Sequence, residues 1–235
     1  MRVATDFARL GWRVGIAARR EDRLATVKNL YPDRIEYLTI DVTAPDAVDR
    51  FYKLIELING MDVLLYAAGC GWYNPDLDPA DDVQTVEVCV LGFTKILNAA
   101  YRYFKETANY TSGQIAAITS VAGTKGLGIS AAYSAAKRYQ WTYLQALDQL
   151  AHQQHVNLDL TDIRPGFVRT DLLKEFKRPL PLEMSIDYAA PRIEAAILQR
   201  KRIATVDSRW AVVTALWRMI PDAVWRRLAM PLATD

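Results

Sequence analysis

Short apolar runs alternate along this chain with longer segments in which apolar residues recur at intervals among polar ones. Six runs lack the polar alternation of a half-exposed strand: Arg13–Ala18, Ile35–Ile40, Met61–Ala67, Gln114–Thr119, Val156–Ile163 and a weaker Ile203–Val206. Such runs are typical of parallel strands that are covered on both faces. Strands separated by helices predict right-handed crossovers and a doubly wound parallel α/β sheet, in a single domain over residues 1–235.

The intervening segments have the spacing of helices. Apolar residues recur every three or four positions at Val83, Val86, Val90, Phe93, Leu97, Ala100 and Phe104. This spacing predicts one apolar stripe on a continuous helix of about six turns. Ala131–Leu150 and Asp187–Arg200 are also predicted to be helices.

Composition excludes several classes of protein. Hydrophobic residues make up 51% of the 235 positions and charged residues 24%, which excludes a disordered chain. The net charge of +2 offers no electrostatic basis for binding nucleic acid. Cys70 and Cys89 cannot build a disulfide framework, and no cysteine or histidine motif predicts a metal site. Without an N-terminal signal core or a run of 18 apolar residues, we expect a cytoplasmic protein.

The stretch from Ser120 to Lys137 carries the most chemical information. Tyr133 and Lys137 are four positions apart on a predicted helix, so their side chains share one face. An ammonium beside a phenol lowers the phenol pKa from its usual value of ~10, and the tyrosine can then exchange a proton with a substrate oxygen. Ser120 ends the preceding strand at the edge where open α/β sheets bind ligands, and its hydroxyl can hold the same oxygen. A Tyr-x-x-x-Lys pair by itself is most often an ordinary solvated helix face.

A serine at the end of a strand, followed thirteen residues later by Tyr-x-x-x-Lys, resembles the short-chain dehydrogenase/reductase family. The resemblance implies a Rossmann-like fold and a nicotinamide cofactor. It also implies that Ser120, Tyr133 and Lys137 are the catalytic residues, and that the tyrosine and the lysine contact the cofactor.

Other family motifs occur along nearly the whole chain. Asp41-Val42 is similar to an Asp-Val pair at the adenine, and Ala68-Gly69 is what remains of an Asn-Asn-Ala-Gly turn beside the ribose. Pro165-Gly166, with Thr170 four residues later, resembles the Pro-Gly-x-x-x-Thr loop that flanks the nicotinamide and the pyrophosphate. The resemblance implies that these motifs contact the cofactor through Asp41, Val42, Ala68, Gly69, Pro165, Gly166 and Thr170.

The residues after the first predicted strand bear on cofactor preference. Enzymes that use NAD place a carboxylate there to bind the ribose 2′-hydroxyl. Here the strand is followed by Arg19 and Arg20. Guanidinium groups suit a 2′-phosphate, so the sequence favours NADP(H) over NAD(H), with Arg19 the better candidate. The alternative is that both arginines only solvate a loop.

Two features depart from the family pattern. Cys89 stands where the family commonly has an asparagine that binds a proton-relaying water, and a thiol is a poor donor and a weak acceptor. The family also begins with a strand and a glycine-rich turn for the pyrophosphate, whereas Met1–Leu10 reads as the helix that follows that turn. We therefore expect the natural protein to begin upstream of Met1, and this chain to bind nucleotide poorly.

The C-terminal third carries two segments of open interpretation. Leu172–Tyr188 follows the Pro-Gly loop, where the family has a variable substrate lid, and its apolar side chains either line a pocket or belong to the core. The tail over about residues 207–235 holds three of the six tryptophans among interleaved arginines and aliphatic residues. Such an amphipathic tail packs on its own domain or on an oligomer partner, or makes peripheral membrane contact.

The favoured interpretation is an NADP(H)-dependent oxidoreductase that interconverts a carbonyl and a secondary alcohol on a small molecule. Tyr133 is expected to act as the acid and base. The family resemblance implies a homodimer or homotetramer formed through the helices over residues 83–104 and 131–150. The alternative is a catalytically impaired nucleotide-binding or scaffold protein on the same fold, which Cys89 and the missing asparagines support.

Overall fold

The structure is a computed structural model that describes residues 1–71, 73–107, 112–170, 173 and 180–228. The strands in these ranges are β1 (Val14–Ala18), β2 (Ile35–Thr39), β3 (Val63–Tyr66), β4 (Gly113–Ile118), β5 (Leu158–Pro165) and β6 (Ile203–Val206). The α-helices are α1 (Arg2–Arg9), α2 (Glu21–Lys28), α3 (Ala47–Leu57), α4 (Pro79–Val86), α5 (Phe93–Thr107), α6 (Ala131–Gln153), α7 (Ile186–Leu198), α8 (Ser208–Met219) and α9 (Asp222–Trp225). Each strand overlaps one that the apolar runs predict.

All the strand pairings are parallel, and they form two sheets. β1 pairs with β2, and β3, β4, β5 and β6 pair in that order. Among the described residues no ladder of hydrogen bonds joins β1 to β3. Because parallel strands end at the same edge of a sheet, the loops after β3, β4 and β5 lie side by side at the carboxyl edge.

Helices cover both faces of the four-stranded sheet. Successive residues of β4 point to opposite faces, and Ile115 and Ala117 pack with α3, α5 and α6, whereas Ala116 packs with α1, α7 and α8. β4 is buried along nearly its whole length, as expected for a strand with a helical layer on each side. The doubly wound parallel arrangement predicted from the sequence is confirmed.

The helix that precedes β4 differs from the continuous α-helix that the sequence predicts. A π-helical turn at Glu87–Gly92 joins α4 to α5. A wider turn shifts the helical register, and Val83 and Val86 are 55% and 41% exposed while Phe93 and Leu97 are fully buried. The predicted single stripe is therefore wrong over its first half. By length and composition the whole run Pro79–Thr107 could span a membrane, but its second half packs in the core.

The C-terminal tail packs on its own domain along one face. Trp210 is buried against Phe167, and Trp217 bridges Trp210 and Trp225 at ring-centroid distances of 6.1 and 5.5 Å. The opposite face of α8 leaves Val212, Leu216 and Met219 exposed. Residues 229–235 of the tail lie outside the described residues.

The segment after the Pro-Gly loop is only partly described. Leu172 and Phe176, two of its predicted pocket candidates, lie outside the described residues. Leu180 and Met184 are buried, and the backbone N–H of Met184 donates to the carbonyl of Phe167 over 2.9 Å. The described part of this segment thus contributes side chains to the core.

Candidate active site

The structure places Ser120, Tyr133 and Lys137 together at the carboxyl edge of β4. Ser120 follows the strand in an extended conformation and caps the short 3₁₀ turn Val121–Thr124, where its Oγ accepts a hydrogen bond of 3.1 Å from the N–H of Ala122. Tyr133 and Lys137 lie in the first two turns of α6. The spacing of the motif therefore brings the three side chains to one place, as the sequence predicts.

Burial dominates the electrostatics of Tyr133. Removal of the phenol from water raises the pKa of Tyr133 to about 12, although a hydrogen bond with Ser120 acts in the opposite direction. The ammonium of Lys137 lies 5.5 Å from the centre of the tyrosine ring. The expectation that Lys137 lowers this pKa is thus not met in the free protein, because desolvation outweighs an ammonium at that distance. Burial thus favours the protonated form of the phenol.

Lys137 is held by neutral acceptors. It is 3% exposed, and its Nζ donates to the carbonyl of Ile118 over 3.3 Å and to Oε1 of Gln140 over 3.1 Å. Burial lowers the pKa of Lys137, and the nearby sulfur atoms of Cys89 and Cys70 and the carboxylate of Asp162 partly offset that effect. Two neutral partners fix the position of the Lys137 Nζ beneath the loop that follows β3.

Gln140 is a residue of this site that the sequence analysis missed. Its side chain is fully buried, and its Nε2 donates to the carbonyl of Cys89 over 2.9 Å while its Oε1 accepts from Lys137. Cys89 lies in the π-helical turn, where the wider geometry frees a carbonyl for a side-chain donor. An amide three positions after Lys137 lies on the same helix face, and that spacing was the available signal.

The loop after β3 covers the candidate catalytic side chains. A Cβ added at Gly71 would lie 2.2 Å from Cδ2 of Tyr133, so the backbone there presses directly on the ring. A Cβ added at Gly69 would lie 3.5 Å from Nζ of Lys137, which is an ordinary contact. The loop therefore packs tightly on the tyrosine and more loosely on the lysine.

Gly71→Ala is expected to lower the free energy of unfolding by about 1–3 kcal/mol, because the added methyl group cannot fit beside the buried ring without a backbone shift. Gly69→Ala is the matched control, since its methyl group finds space, and we expect a change of less than ~1 kcal/mol. Urea unfolding of both variants measures the difference. Equal stability of the two would show that the loop does not rest on Tyr133.

Two of the predicted cofactor residues lie at the end of β1. Arg19 and Arg20 are exposed, and Arg20 caps the N-terminus of α2 through its backbone position. The charge of Arg19 contributes to the lowered pKa of Asp41 and offsets part of the rise in the pKa of Cys70, which places its guanidinium on the same side as the loops after β2 and β3. An exposed guanidinium at this edge fits a phosphate group of a dinucleotide.

Asp41 and Val42 lie in the loop after β2. Oδ1 of Asp41 accepts from the N–H and the hydroxyl of Thr43 over 2.9 and 2.7 Å, and the backbone hydrogen bond is the main cause of the lowered pKa of Asp41. Val42 packs against Gly92 at the end of the π-helical turn. Ala68 is partly exposed and packs against the same core cluster as Val42.

Pro165, Gly166 and Thr170 follow β5. Pro165 ends the strand, and the N–H of Gly166 donates to the carbonyl of Val206 over 2.9 Å, so the loop begins against β6. Trp210 lies so close to Gly166 that a Cβ there would meet its Nε1 at 2.0 Å. Thr170 is exposed at the end of this loop.

Three comparisons place this architecture among known proteins. The family model described as short chain dehydrogenase matches residues 1–180. An uncharacterized oxidoreductase of Myxococcus xanthus (strain DK1622) is 28% identical over 236 residues, which cover 96% of this chain and 91% of that protein.

Two solved structures share the fold. The 3-ketoacyl-(acyl-carrier-protein) reductase from Brucella melitensis, complexed with NADH, has a TM-score of 0.75 and 21% identity, with 87% of this chain and 90% of that chain covered. ElxO with NADP bound also has a TM-score of 0.75, at 17% identity, with 90% and 93% covered. With the family model matching most of its length, this chain belongs to the short chain dehydrogenase family of oxidoreductases.

Proposed function

We propose that this protein is an NADP(H)-dependent oxidoreductase that interconverts a carbonyl and a secondary alcohol on a small molecule. The observation that carries the proposal is the arrangement at the end of β4, where Tyr133 is hydrogen-bonded to Ser120 and backed by Lys137. The carboxyl edge of a parallel sheet is where such folds bind their ligands.

Each of the three side chains has a distinct task in the proposed reaction. Tyr133 donates a proton to the carbonyl oxygen during reduction and takes it back during oxidation. Ser120 presents a hydroxyl that holds the same oxygen in line. Lys137 stabilises the tyrosinate left after proton donation and binds the cofactor ribose. Hydride chemistry at the substrate carbon is supplied by the nicotinamide cofactor when it is bound.

The preference for NADP(H) is supported by the exposed guanidinium of Arg19 and by the lack of a carboxylate at the end of β1. Arg19→Ala is expected to weaken NADPH binding by about ten- to a hundredfold, because a charge-assisted hydrogen bond contributes about 1.5–3 kcal/mol. NADH binding is expected to change by less than about twofold. Fluorescence titration of both cofactors measures this, with Arg34→Ala as an arginine control on the loop before β2. Equal loss for both cofactors would assign Arg19 to general binding rather than to phosphate recognition.

The direct test of the function is cofactor consumption. The protein is mixed with NADPH and a panel of ketones and aldehydes, and in the reverse direction with NADP⁺ and secondary alcohols. Turnover with one substrate class supports the proposal. Tight NADPH binding without turnover on any class would favour the alternative of a nucleotide-binding or scaffold protein, which the replacement of the family asparagine by Cys89 supports.

The proposal extends to location and assembly. Two cysteines without a disulfide suit the reducing cytoplasm. A homodimer or homotetramer formed through α5 and α6 is proposed by resemblance to the family, and light scattering measures its mass directly. Peripheral membrane contact through the exposed face of α8 is the alternative use of that surface, and liposome flotation tests it.

A further inference from the structure

Two thiols lie together beside Tyr133 and Lys137, and the proposed reaction uses neither. Sγ of Cys89 donates to the carbonyl oxygen of Cys70 over 3.2 Å and accepts from the N–H of Cys70 over 3.5 Å. Cys89 is fully buried in the π-helical turn, whereas Cys70 is half-buried in the loop after β3. One thiol is therefore open to small molecules and the other is held behind it.

The hydrogen bond between the two thiols shifts their pKa values in opposite directions. A hydrogen bond from Cys70, together with the charge of Lys137, lowers the pKa of Cys89 to about 6. The same hydrogen bond raises the pKa of Cys70. Ionisation of the pair therefore leaves the negative charge on the buried Cys89 sulfur, and the thiolate is the reactive form in exchange with a disulfide.

The position of Cys70 connects this chemistry to the candidate active site. Its neighbours are Gly69, which lies beside the Lys137 Nζ, and Gly71, which presses on the Tyr133 ring. A covalent bond from Cys70 to the π-helical turn would hold this loop down on both side chains.

We propose that Cys70 and Cys89 are a thiol–disulfide exchange site, which small-molecule disulfides oxidise to an intramolecular disulfide that holds the loop at residues 69–71 closed over Tyr133. The existence of the site stands on the contacts of the Cys89 sulfur with the backbone of Cys70 and on the hydrogen bond between the two thiols. Its effect on turnover rests on the proposed function.

The exchange balances in two steps. When the pair is ionised, Cys70 passes its proton to the Cys89 sulfur as it attacks the small disulfide, forms a mixed disulfide and releases one small thiolate. That small thiolate takes the proton from Cys89, whose sulfur then attacks the Cys70 sulfur and expels the second small thiolate, which takes a proton from water in place of the one that the pair had lost on ionisation. Overall, two protein thiols lose two electrons and two protons, and the small disulfide becomes two thiols.

The test uses glutathione disulfide on the reduced, full-length protein. Intact-mass spectrometry is expected to show loss of two hydrogens without a glutathione adduct, and proteolysis a cross-linked pair of peptides. Cys89→Ser is expected to stop at a glutathione adduct on Cys70. Cys70→Ser is expected to remain unmodified, because Cys89 is inaccessible. Circular dichroism of each variant confirms that it is folded. Accumulation of an adduct on the wild-type protein, or no reaction at all, would overturn the exchange site.

Turnover provides the second measurement. NADPH-dependent activity of the wild type is expected to fall about tenfold or more as the disulfide forms, because small displacements at a reacting centre are costly, and to return with dithiothreitol. Cys70→Ser, compared with its own untreated sample, is expected to keep its activity through the same treatment. Full activity of the oxidised protein would overturn the closing role. If the disulfide forms but the protein shows no turnover in either the reduced or the oxidised state, the proposed function is rejected and the exchange site is retained.

Discussion

Tyr133→Phe is expected to lower kcat for carbonyl reduction by about 10²–10⁴-fold, the usual contribution of a positioned general acid. The pKa of about 12 keeps the phenol protonated at neutral pH, so the wild-type side chain always has the proton to give. Phenylalanine keeps the ring that packs under Gly71 and removes only the hydroxyl. The variant is therefore expected to fold like the wild type, and its dissociation constant for NADPH is expected to stay within about twofold of the wild-type value.

Steady-state kinetics and fluorescence titration measure the two effects separately. Tyr139→Phe is the matched control, because its hydroxyl contacts Thr94 over 2.7 Å on another face of α6 and takes no part in the site. Turnover that persists in Tyr133→Phe would remove the tyrosine from the mechanism. A parallel loss in Tyr139→Phe would show that the effect came from the helix rather than from the proton donor.

Gln140→Leu is expected to give the largest loss of stability among single changes at this site, about 3–5 kcal/mol. The amide accepts from the buried ammonium of Lys137 and donates to the carbonyl of Cys89, and leucine can do neither. The variant leaves the buried ammonium with one of its two hydrogen bonds and removes the side-chain donor from the Cys89 carbonyl. Both losses raise the free energy of the folded state and leave that of the unfolded state unchanged.

Thermal and urea unfolding measure this change, and a loss of that size corresponds to a fall in Tm of roughly 10 °C for a domain of this length. Gln145→Leu is the control, since Gln145 is exposed on the same helix and its replacement is expected to change stability by less than ~0.5 kcal/mol. If Gln140→Leu unfolds like the wild type, Lys137 does not depend on this amide for its position.

Local sequence signals predicted the strands and the candidate catalytic residues. Runs of apolar residues such as Gln114–Thr119 predict a strand that is buried on both faces, and this prediction needs no information from the rest of the chain. The interval from Ser120 to Tyr133 places a strand end and a helix start at a fixed separation. The structure brings these residues together because parallel strands and their following helices leave little freedom at that edge.

The apolar stripe through Val83 was wrong for a reason that spacing cannot reveal. A π-helical turn changes the face of a helix without changing the types of residue in it. The turn at Glu87–Gly92 is accommodated by Gln140, which lies more than 40 residues away and supplies the donor for the Cys89 carbonyl. Helical periodicity is local, whereas this compensation is a contact between two helices.

By itself, the sequence determined the parallel α/β architecture and the placement of Ser120, Tyr133 and Lys137 at the carboxyl edge, because both follow from periodicity and from residue spacing along the chain. Only the tertiary structure decided the environment of those residues. The raised pKa of Tyr133, the anchoring of Lys137 by Gln140 and the contact between Cys70 and Cys89 all depend on which segments pack together. Burial and hydrogen-bond partners are set by neighbours that are distant in sequence, and the local pattern along the chain does not specify which neighbours those are.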